Sequence, residues 1–208
     1  MNVAIIGAGS VGGTLGRRFA GAGHGVTFGV RDPAKGVKGG APDAARVTSV
    51  PDAGRAVDAI VLTVPWQAAP NVLRELRLTD GQVVVDASNP LVSGAGGLAL
   101  DVGPNGESGA ERLAAMAPGA RVVKAFNTTG ANNMADPFYG GEPSVMFYAG
   151  DEPDAKATVH TLIAGIGFDA VDAGSLSRSR ELEHLAFLWI ALASGGMGRN
   201  IAFKLARR

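Results

Sequence analysis

Three glycines near the amino terminus have the spacing of a loop that binds the phosphates of a dinucleotide. Gly7, Gly9 and Gly12 form the pattern G-x-G-x-x-G, which follows an apolar β-branched run and opens a segment with helical spacing. In this context the first glycine permits a tight turn, the second lets a pyrophosphate approach, and the third lets the helix pack on the strand. Ser10 and Val11 begin that helix, whose free N–H groups favour phosphate. We therefore predict a dinucleotide-binding loop, the alternative being a glycine-rich turn without a ligand.

Basic residues follow the second predicted strand, and they indicate the cofactor NADP rather than NAD. A protein specific for NAD normally carries Asp or Glu there, which accepts a hydrogen bond from the ribose 2′-hydroxyl. This chain has Arg31, with Lys35 close behind it, and two cations suit a 2′-phosphate. Asp32 leaves two alternatives open, because it could cap the next turn or contact the ribose. Arg31 could also be a solvated surface side chain.

Polar groups at the other predicted strand ends offer no pair for acid–base catalysis. The fourth predicted strand, 59–64, leads into Val64-Pro65-Trp66, where a nicotinamide would lie, and Trp66 either walls that pocket or packs under a helix. Asn89 follows the fifth predicted strand, 83–87, and Asn127-Thr128-Thr129 follow the sixth, 121–126, as crevice groups or as turn formers. We predict no catalytic residue and no metal site, because the chain has no Cys, no G-x-S-x-G elbow and no zinc-ligand spacing among its histidines. This pattern favours hydride transfer, which depends on ring stacking more than on proton chemistry.

The elements that must position these residues alternate between strand and helix. That alternation predicts an α/β fold, a Rossmann-type doubly wound and mostly parallel sheet with a small C-terminal helical segment. We assign residues 1–174 to the dinucleotide-binding domain. Residues 175–208 are expected to be helical to the end, with a junction near Gly195-Gly196, and to close the cleft. A loop is expected from Ser88 to about Asn105, flexible by composition at Ser93–Gly97.

Composition and charge exclude several classes of protein. The chain has 208 residues with 19 basic and 19 acidic side chains, and it shows no basic stripe of the kind that binds nucleic acid. The amino terminus lacks the basic region of a signal peptide. The longest apolar stretch, Leu185–Met197, is shorter than the roughly 20 residues that a membrane-spanning helix needs. We expect a cytoplasmic protein without a membrane partner.

An apolar stripe near the carboxyl terminus suggests self-association. Leu185, Leu188, Trp189 and Leu192 fall on one face at helical spacing, and small residues follow them. We predict a homodimer through this segment, which a monomeric mass in light scattering would contradict. In the alternative interpretation the stripe packs on the chain's own sheet.

Nearly the whole chain resembles the coenzyme F420-dependent NADP oxidoreductases. The amino-terminal part of the resemblance comprises the glycine loop, Arg31 and Thr63–Trp66. Its most specific part is carboxyl-terminal and comprises Asp172–Arg180, Glu183 and Gly196-Met197-Gly198. The segment Val123–Thr128 also resembles the NADPH domain of STEAP-type metalloreductases.

The resemblance implies hydride exchange between NADPH and the deazaflavin F420, with a small-molecule acceptor stacked on the nicotinamide beside the C-terminal helices. The residues it implies for NADP are Gly9, Ser10, Val11, Arg31, Lys35, Val64, Asn89 and Ala131. The residues it implies near the second ring are Asn127, Thr129 and Met197.

Two departures bear on this assignment. The chain has Val30 where members of the family often have serine before the arginine, and Asn127 where they have histidine. Two other functions are therefore kept: a reductase that passes hydride from NADPH to a flavin or a small carbonyl compound, and a non-catalytic NADP(H) sensor.

Overall fold

The computed structural model describes residues 1–94 and 97–208, and within them one twisted sheet carries the fold. Its strands are β1 Asn2–Ile6, β2 Gly25–Val30, β3 Arg46–Ser49, β4 Ala59–Leu62, β5 Val83–Asp86, β8 Arg121–Lys124, β11 Val145–Gly150 and β12 Asp169–Asp172. They lie in the order β12-β11-β8-β5-β4-β1-β2-β3. Two hairpins lie outside this sheet, β6 Leu91–Gly94 with β7 Gly97–Leu100 and β9 Phe138–Tyr139 with β10 Glu142–Pro143.

Helices cover both faces of the sheet. Their bounds are α1 Ser10–Gly21, α2 Val50–Ala53, α3 Ala69–Glu75, α4 Gly109–Met116, α5 Ala131–Ala135, α6 Pro153–Gly165 and α7 Ser179–Leu192. The central strands β1, β4 and β5 are apolar except for Asn2 and Asp86 at their ends, and they are buried except for Asn2, because helices exclude water from both faces. Helix α1 lies close to β2 because Gly16 leaves room for the Phe28 ring, which a side chain at that position would strike.

The sheet confirms the predicted Rossmann-type α/β fold. Strands β1 to β5 and β8 are parallel to one another, β11 is antiparallel to β8, and β12 is parallel to β11. The chain leaves β1 toward β2 on one side and later returns to β4 on the other. Ligands bind at such a reversal of strand order, beyond the carboxyl ends of the strands, so the crevice lies between β1 and β4.

Two sequence predictions about loops and termini were wrong. The expected loop after Ser88 contains the β6–β7 hairpin, although positions 95 and 96 of the Ser93–Gly97 stretch lie outside the described residues. Residues 198–208 are not helical, because Gly196 and Gly198 adopt positive φ angles of 114° and 73° at the end of a π-helical turn.

The tail packs back on the domain instead of continuing α7. The Phe203 carbonyl accepts from the Val145 N–H at 3.0 Å, and the Ile201 carbonyl accepts from the Trp189 indole at 2.7 Å. Trp189 is buried within the chain, whereas Leu188 is 49% exposed on the same helix. The apolar stripe is thus divided between the core and the surface, and the homodimer stays a prediction. In the part of the chain that the structure describes, no helix is long and apolar enough to cross a membrane.

Candidate cofactor-binding site

The glycine loop has the backbone geometry that close approach of a ligand requires. Gly7 has a φ of 104°, which favours glycine, and its N–H donates to the Gly29 carbonyl at 3.0 Å. A Cβ on Gly12 would collide with the Gly7 carbonyl oxygen. A Cβ on Gly9, by contrast, would meet no atom of the described residues within 4 Å. The space before the first turn of α1, which Ser10 and Val11 begin, is therefore open for a pyrophosphate, as the fingerprint predicts.

The Thr63 hydroxyl holds this loop from the neighbouring strand. It donates to the carbonyls of Ile6 and Gly7, at 3.0 and 2.8 Å respectively. Thr63 also lies against the position where a Gly12 side chain would be, so the close crossing of loop and strand depends on both residues. Thr63 was not among the predicted site residues. Its place directly after the strand next to β1 was the available signal.

A cleft of about 560 Å³ lies beyond the ends of β1, β2 and β4. Of the predicted cofactor residues it is lined by Gly7, Arg31, Lys35, Val64 and Pro65. Helix α3 closes its far side with Asn71, Val72 and Glu75, which sequence reasoning did not include, because only the packing of α3 brings them there.

The basic groups of the cleft differ in their partners. Asp32 caps the following turn, since its Oδ1 accepts from the Ala34 N–H at 3.2 Å, and its Oδ2 lies 3.8 Å from the Lys35 ammonium. Among the described residues no carboxylate lies within ion-pairing distance of Arg31, which is exposed at the edge of the cleft. Arg31 is therefore available to an anionic ligand. The capping alternative for Asp32 fits the geometry.

A third cation, Lys38, stands at the pyrophosphate end of the site. Its ammonium donates to the Ser10 hydroxyl at 3.1 Å, and its backbone N–H donates to the Ala8 carbonyl at 3.0 Å. The Arg17 guanidinium fixes this segment through the Lys38 and Gly40 carbonyls. The sequence offered no signal for Lys38 beyond its charge, because the contact depends on the loop folding back over α1.

A second hollow, of about 310 Å³, adjoins the same loop at Ser10. It is also lined by Ala131, Asn132, Arg199 and Asn200. The Asn132 amide donates to the Arg199 carbonyl and to the Asn200 side chain, both at 2.8 Å, so α5 holds the tail in place. The structure thus brings Ala131 to the phosphate loop, and it adds two tail residues that sequence reasoning did not name.

Trp66 lies outside both hollows. Its indole is buried, its Nε1 donates to Asp101 at 2.7 Å, and the Arg112 guanidinium lies 4.8 Å from the ring centre. The hydrogen bond from Trp66, aided by Arg112, lowers the pKa of the Asp101 carboxyl. The predicted cofactor contact of Trp66 is therefore not supported by its position, because the chain turns after Pro65 and buries the ring toward α4.

Asn89 and Asn127 pair with each other across the ends of β5 and β8. The Asn127 amide donates to Asn89 Oδ1 at 3.1 Å and to the Leu182 carbonyl at 3.0 Å, while the Asn89 amide donates to the Asn127 carbonyl at 3.0 Å. Phe126, with a φ of 60°, turns the chain into this arrangement. Asn127 is 3% exposed, so direct contact with a second ring would require its amide to move.

The other two residues predicted near the second ring occupy different surroundings. The Thr129 hydroxyl accepts from the Asn133 amide at 2.8 Å, and that amide also donates to the Ile201 carbonyl of the tail. Met197 is 65% exposed at the end of the π-helical turn. Met197 is therefore free to contact a ligand, whereas Thr129 supports the wall behind α5.

Oxidoreductases are among the known proteins of similar sequence and structure. A family model described as NADP oxidoreductase, coenzyme F420-dependent, matches residues 2–90. The F420-dependent NADP reductase of Methanothermobacter thermautotrophicus is 33% identical over 99% of this chain and 94% of its own length. A solved structure from Arthrobacter sp. FB24, provisionally described as an F420-dependent NADP-reductase, covers 99% of both chains with a TM-score of 0.86 at 28% identity.

The metalloreductase STEAP3 of Rattus norvegicus is 32% identical over 87% of this chain, which spans only 35% of that longer protein. The match over almost the full length of both the chain and the archaeal enzyme is the decisive one. The chain is an NADP-dependent oxidoreductase and belongs to the F420-dependent NADP reductase family.

Proposed function

We propose that this protein transfers hydride between NADPH and the deazaflavin coenzyme F420. The observation that carries the proposal is that a cation-lined cleft and a second hollow adjoin the same glycine loop. A dinucleotide crosses the loop at such a point, with its pyrophosphate at the helix N-terminus and its two nucleosides on either side.

We assign the adenosine half to the cleft that Arg31 and Lys35 border. The 2′-phosphate would be bound by these two cations, and Arg31 is the stronger candidate because Lys35 already has Asp32 beside it. Gly9, Ser10 and Lys38 would hold the pyrophosphate. Val64 and Pro65 would form the wall at the switch point between β1 and β4.

We assign the nicotinamide half to the side of β4, β5 and Ala131. Bound NADPH would supply a hydride there, which an F420 acceptor would take up together with one proton from solvent. The contribution of the protein is to hold the two rings together and to exclude water. Asn89 would border the ring, Asn127 and Thr129 would support that wall, and Met197 would contact the acceptor from the exposed side.

The direct test is to mix the protein with NADPH and oxidised F420 and to follow the absorbance of both. Rapid, stoichiometric loss of both bands in the wild type, with much slower loss in Arg31→Ala at the same NADPH concentration, is the expected result. Tight NADPH binding without any loss of the F420 band would refute F420 as the acceptor.

Tight NADPH binding without loss of the F420 band would favour another hydride acceptor or a non-catalytic sensor. An acceptor other than a carbonyl compound is supported by the similarity to STEAP3, which is named a metalloreductase. A carbonyl acceptor is less well supported, because it needs a proton donor at the site. Screening flavins and carbonyl compounds for NADPH oxidation separates these cases, and a sensor would oxidise NADPH with none of them.

A further inference from the structure

A buried cluster of three charged side chains lies behind the acceptor side of the crevice. The Lys124 ammonium is fully buried and donates to Asp86 Oδ2 at 2.8 Å, to Glu183 Oε1 at 2.9 Å and to the Ser88 carbonyl at 2.7 Å. Asp86 is also fully buried, and Glu183 is 3% exposed. The cluster joins β5, β8 and α7, and the hydride transfer described above does not use it.

All hydrogen-bonding neighbours of the two carboxylates are N–H or O–H groups that donate to them. Asp86 Oδ1 accepts from the N–H and the hydroxyl of Ser88, at 2.9 and 2.7 Å. Glu183 accepts from the N–H groups of Gly109 and Ala110, at 3.0 and 3.4 Å, at the start of α4. This surrounding suits two ionised carboxylates, because a protonated carboxyl would need an acceptor for its hydrogen.

The lysine in the cluster is charged as well. Burial by itself would lower the pKa of Lys124, but the attraction of Asp86 and Glu183 outweighs it and raises that pKa above its ordinary value. Two carboxylates and one ammonium leave one surplus negative charge, partly balanced by the N-terminus of α4. Glu111 on α4 and Arg180 on α7, the helices that contribute to this surrounding, form an ion pair with no net charge.

The cluster occupies the strand ends next to the proposed nicotinamide position. Asp86 and Lys124 are the last residues of β5 and β8 and face each other in register. Asn89 follows Asp86 by three residues, and Asn127 follows Lys124 by three residues. The hydrogen-bonded pair of asparagines forms the next layer toward the crevice. With adenosine assigned to the β2 side of the switch point, the nicotinamide would lie on the β4–β5 side, next to this pair.

We propose that the surplus negative charge of the Asp86–Lys124–Glu183 cluster favours the oxidised nicotinamide over the reduced one. The oxidised ring carries a positive charge and the reduced ring is neutral, so a buried negative charge nearby stabilises only the oxidised form. The cluster thereby makes bound NADPH a stronger hydride donor. This inference rests on the proposed NADP site but not on the identity of the acceptor.

The ratio of the dissociation constants for NADP⁺ and NADPH tests the inference without any acceptor. In Glu183→Gln and in Asp86→Asn this ratio should rise roughly fivefold or more, as expected for loss of a unit charge within about 15 Å at an effective dielectric constant near 20. Glu183→Asp shortens the side chain but keeps its charge, so the ratio should stay near that of the wild type. Glu181→Gln is the matched control for the charge change, because Glu181 is exposed on the same helix and screened by water.

If the cluster had only a structural role, the variants would weaken the binding of NADP⁺ and NADPH equally, and the ratio would stay unchanged in all four. An unchanged ratio in Glu183→Gln, or in Asp86→Asn if only that variant folds, overturns the inference. If neither folds, Lys124→Met decides the question: deleting the positive charge increases the surplus negative charge of the cluster, so the ratio should fall, and an unchanged or higher ratio would overturn the inference. A wild type that binds neither NADP⁺ nor NADPH would instead refute the proposed cofactor site.

Discussion

Replacing Arg31 with alanine tests the proposed contact with the 2′-phosphate of NADPH. Arg31 follows β2 directly and borders the cleft, and among the described residues it has no carboxylate partner that the substitution would leave unpaired. The variant should therefore fold with wild-type stability. Its effect should be confined to ligands that carry the 2′-phosphate.

The magnitude follows from the exposure of the site and from its neighbours. A hydrogen bond to a charged group contributes about 1.5–3 kcal/mol, and solvent screening of this exposed side chain favours the lower end. Lys35 compensates only in part, because its ammonium lies 3.8 Å from Asp32. We expect NADPH affinity to fall by about 1.5–2 kcal/mol, which is roughly a 10- to 30-fold rise in Kd.

Calorimetric titration of NADPH and NADH into both proteins measures this effect. NADH affinity should change by less than about twofold, since NADH has no 2′-phosphate to lose contact with. Arg55→Ala is a matched control, because Arg55 is exposed and lies outside the cleft. An equal loss of affinity for NADPH and NADH in Arg31→Ala would refute the reasoning, as it would show that Arg31 acts on the shared part of the cofactor.

Three further outcomes are expected. Gly9→Ala should leave the free energy of unfolding unchanged, because its methyl group meets no described atom in the free protein. It should raise the Kd for NADPH at least about tenfold, because the methyl group occupies the pyrophosphate space. A calorimetric Kd equal to that of the wild type would argue against this position for the ligand. Gly12→Ala should instead lower the free energy of unfolding by about 1–3 kcal/mol, since its methyl group collides with the Gly7 carbonyl. Urea titration measures this change, and an unfolding midpoint equal to that of the wild type would contradict so close a crossing of loop and helix. Hydrogen bonds lower the pKa of Glu111 from its ordinary value of 4.5, first that from Arg180 and then those from the N–H and hydroxyl of Ser108. The stabilisation by Glu111 is therefore fully present above pH 4.5 and is lost as pH falls through the lowered value. Glu111→Gln should thus cost about 1 kcal/mol at pH 7, and a difference from the wild type that persists at the lowest pH would exclude this linkage.

Local patterns predicted the first half of the chain most accurately. The β-branched run before Gly7 is buried on both sides as β1, and the segment from Ser10 folds as α1. Such features depend on periodicity and on the φ angles that glycine permits, and both are readable from neighbouring residues. For the same reason Arg31 and Lys35 were placed at the cleft from their position after β2.

Predictions that needed knowledge of distant neighbours were less accurate. The sequence left Trp66 either in the wall of the cofactor pocket or packed under a helix, and only the contacts of its ring with α4 and Asp101 favour the second alternative. The C-terminal residues were expected to be helical, yet the tail instead bonds to β11, α5 and α7. Lys38 and Asn71 reach the site only through loop and helix packing.

The sequence by itself determined the fold class, the phosphate loop and the basic group beside it, because each depends on residues close together in the chain. Only the tertiary structure decided that Asn89 pairs with Asn127 and that Lys124 lies between two carboxylates. Those contacts join residues 38 to 59 positions apart. Residue type predicts only that a buried amide or ammonium has a partner. The packing of the strands and of α7 determines which residue that partner is.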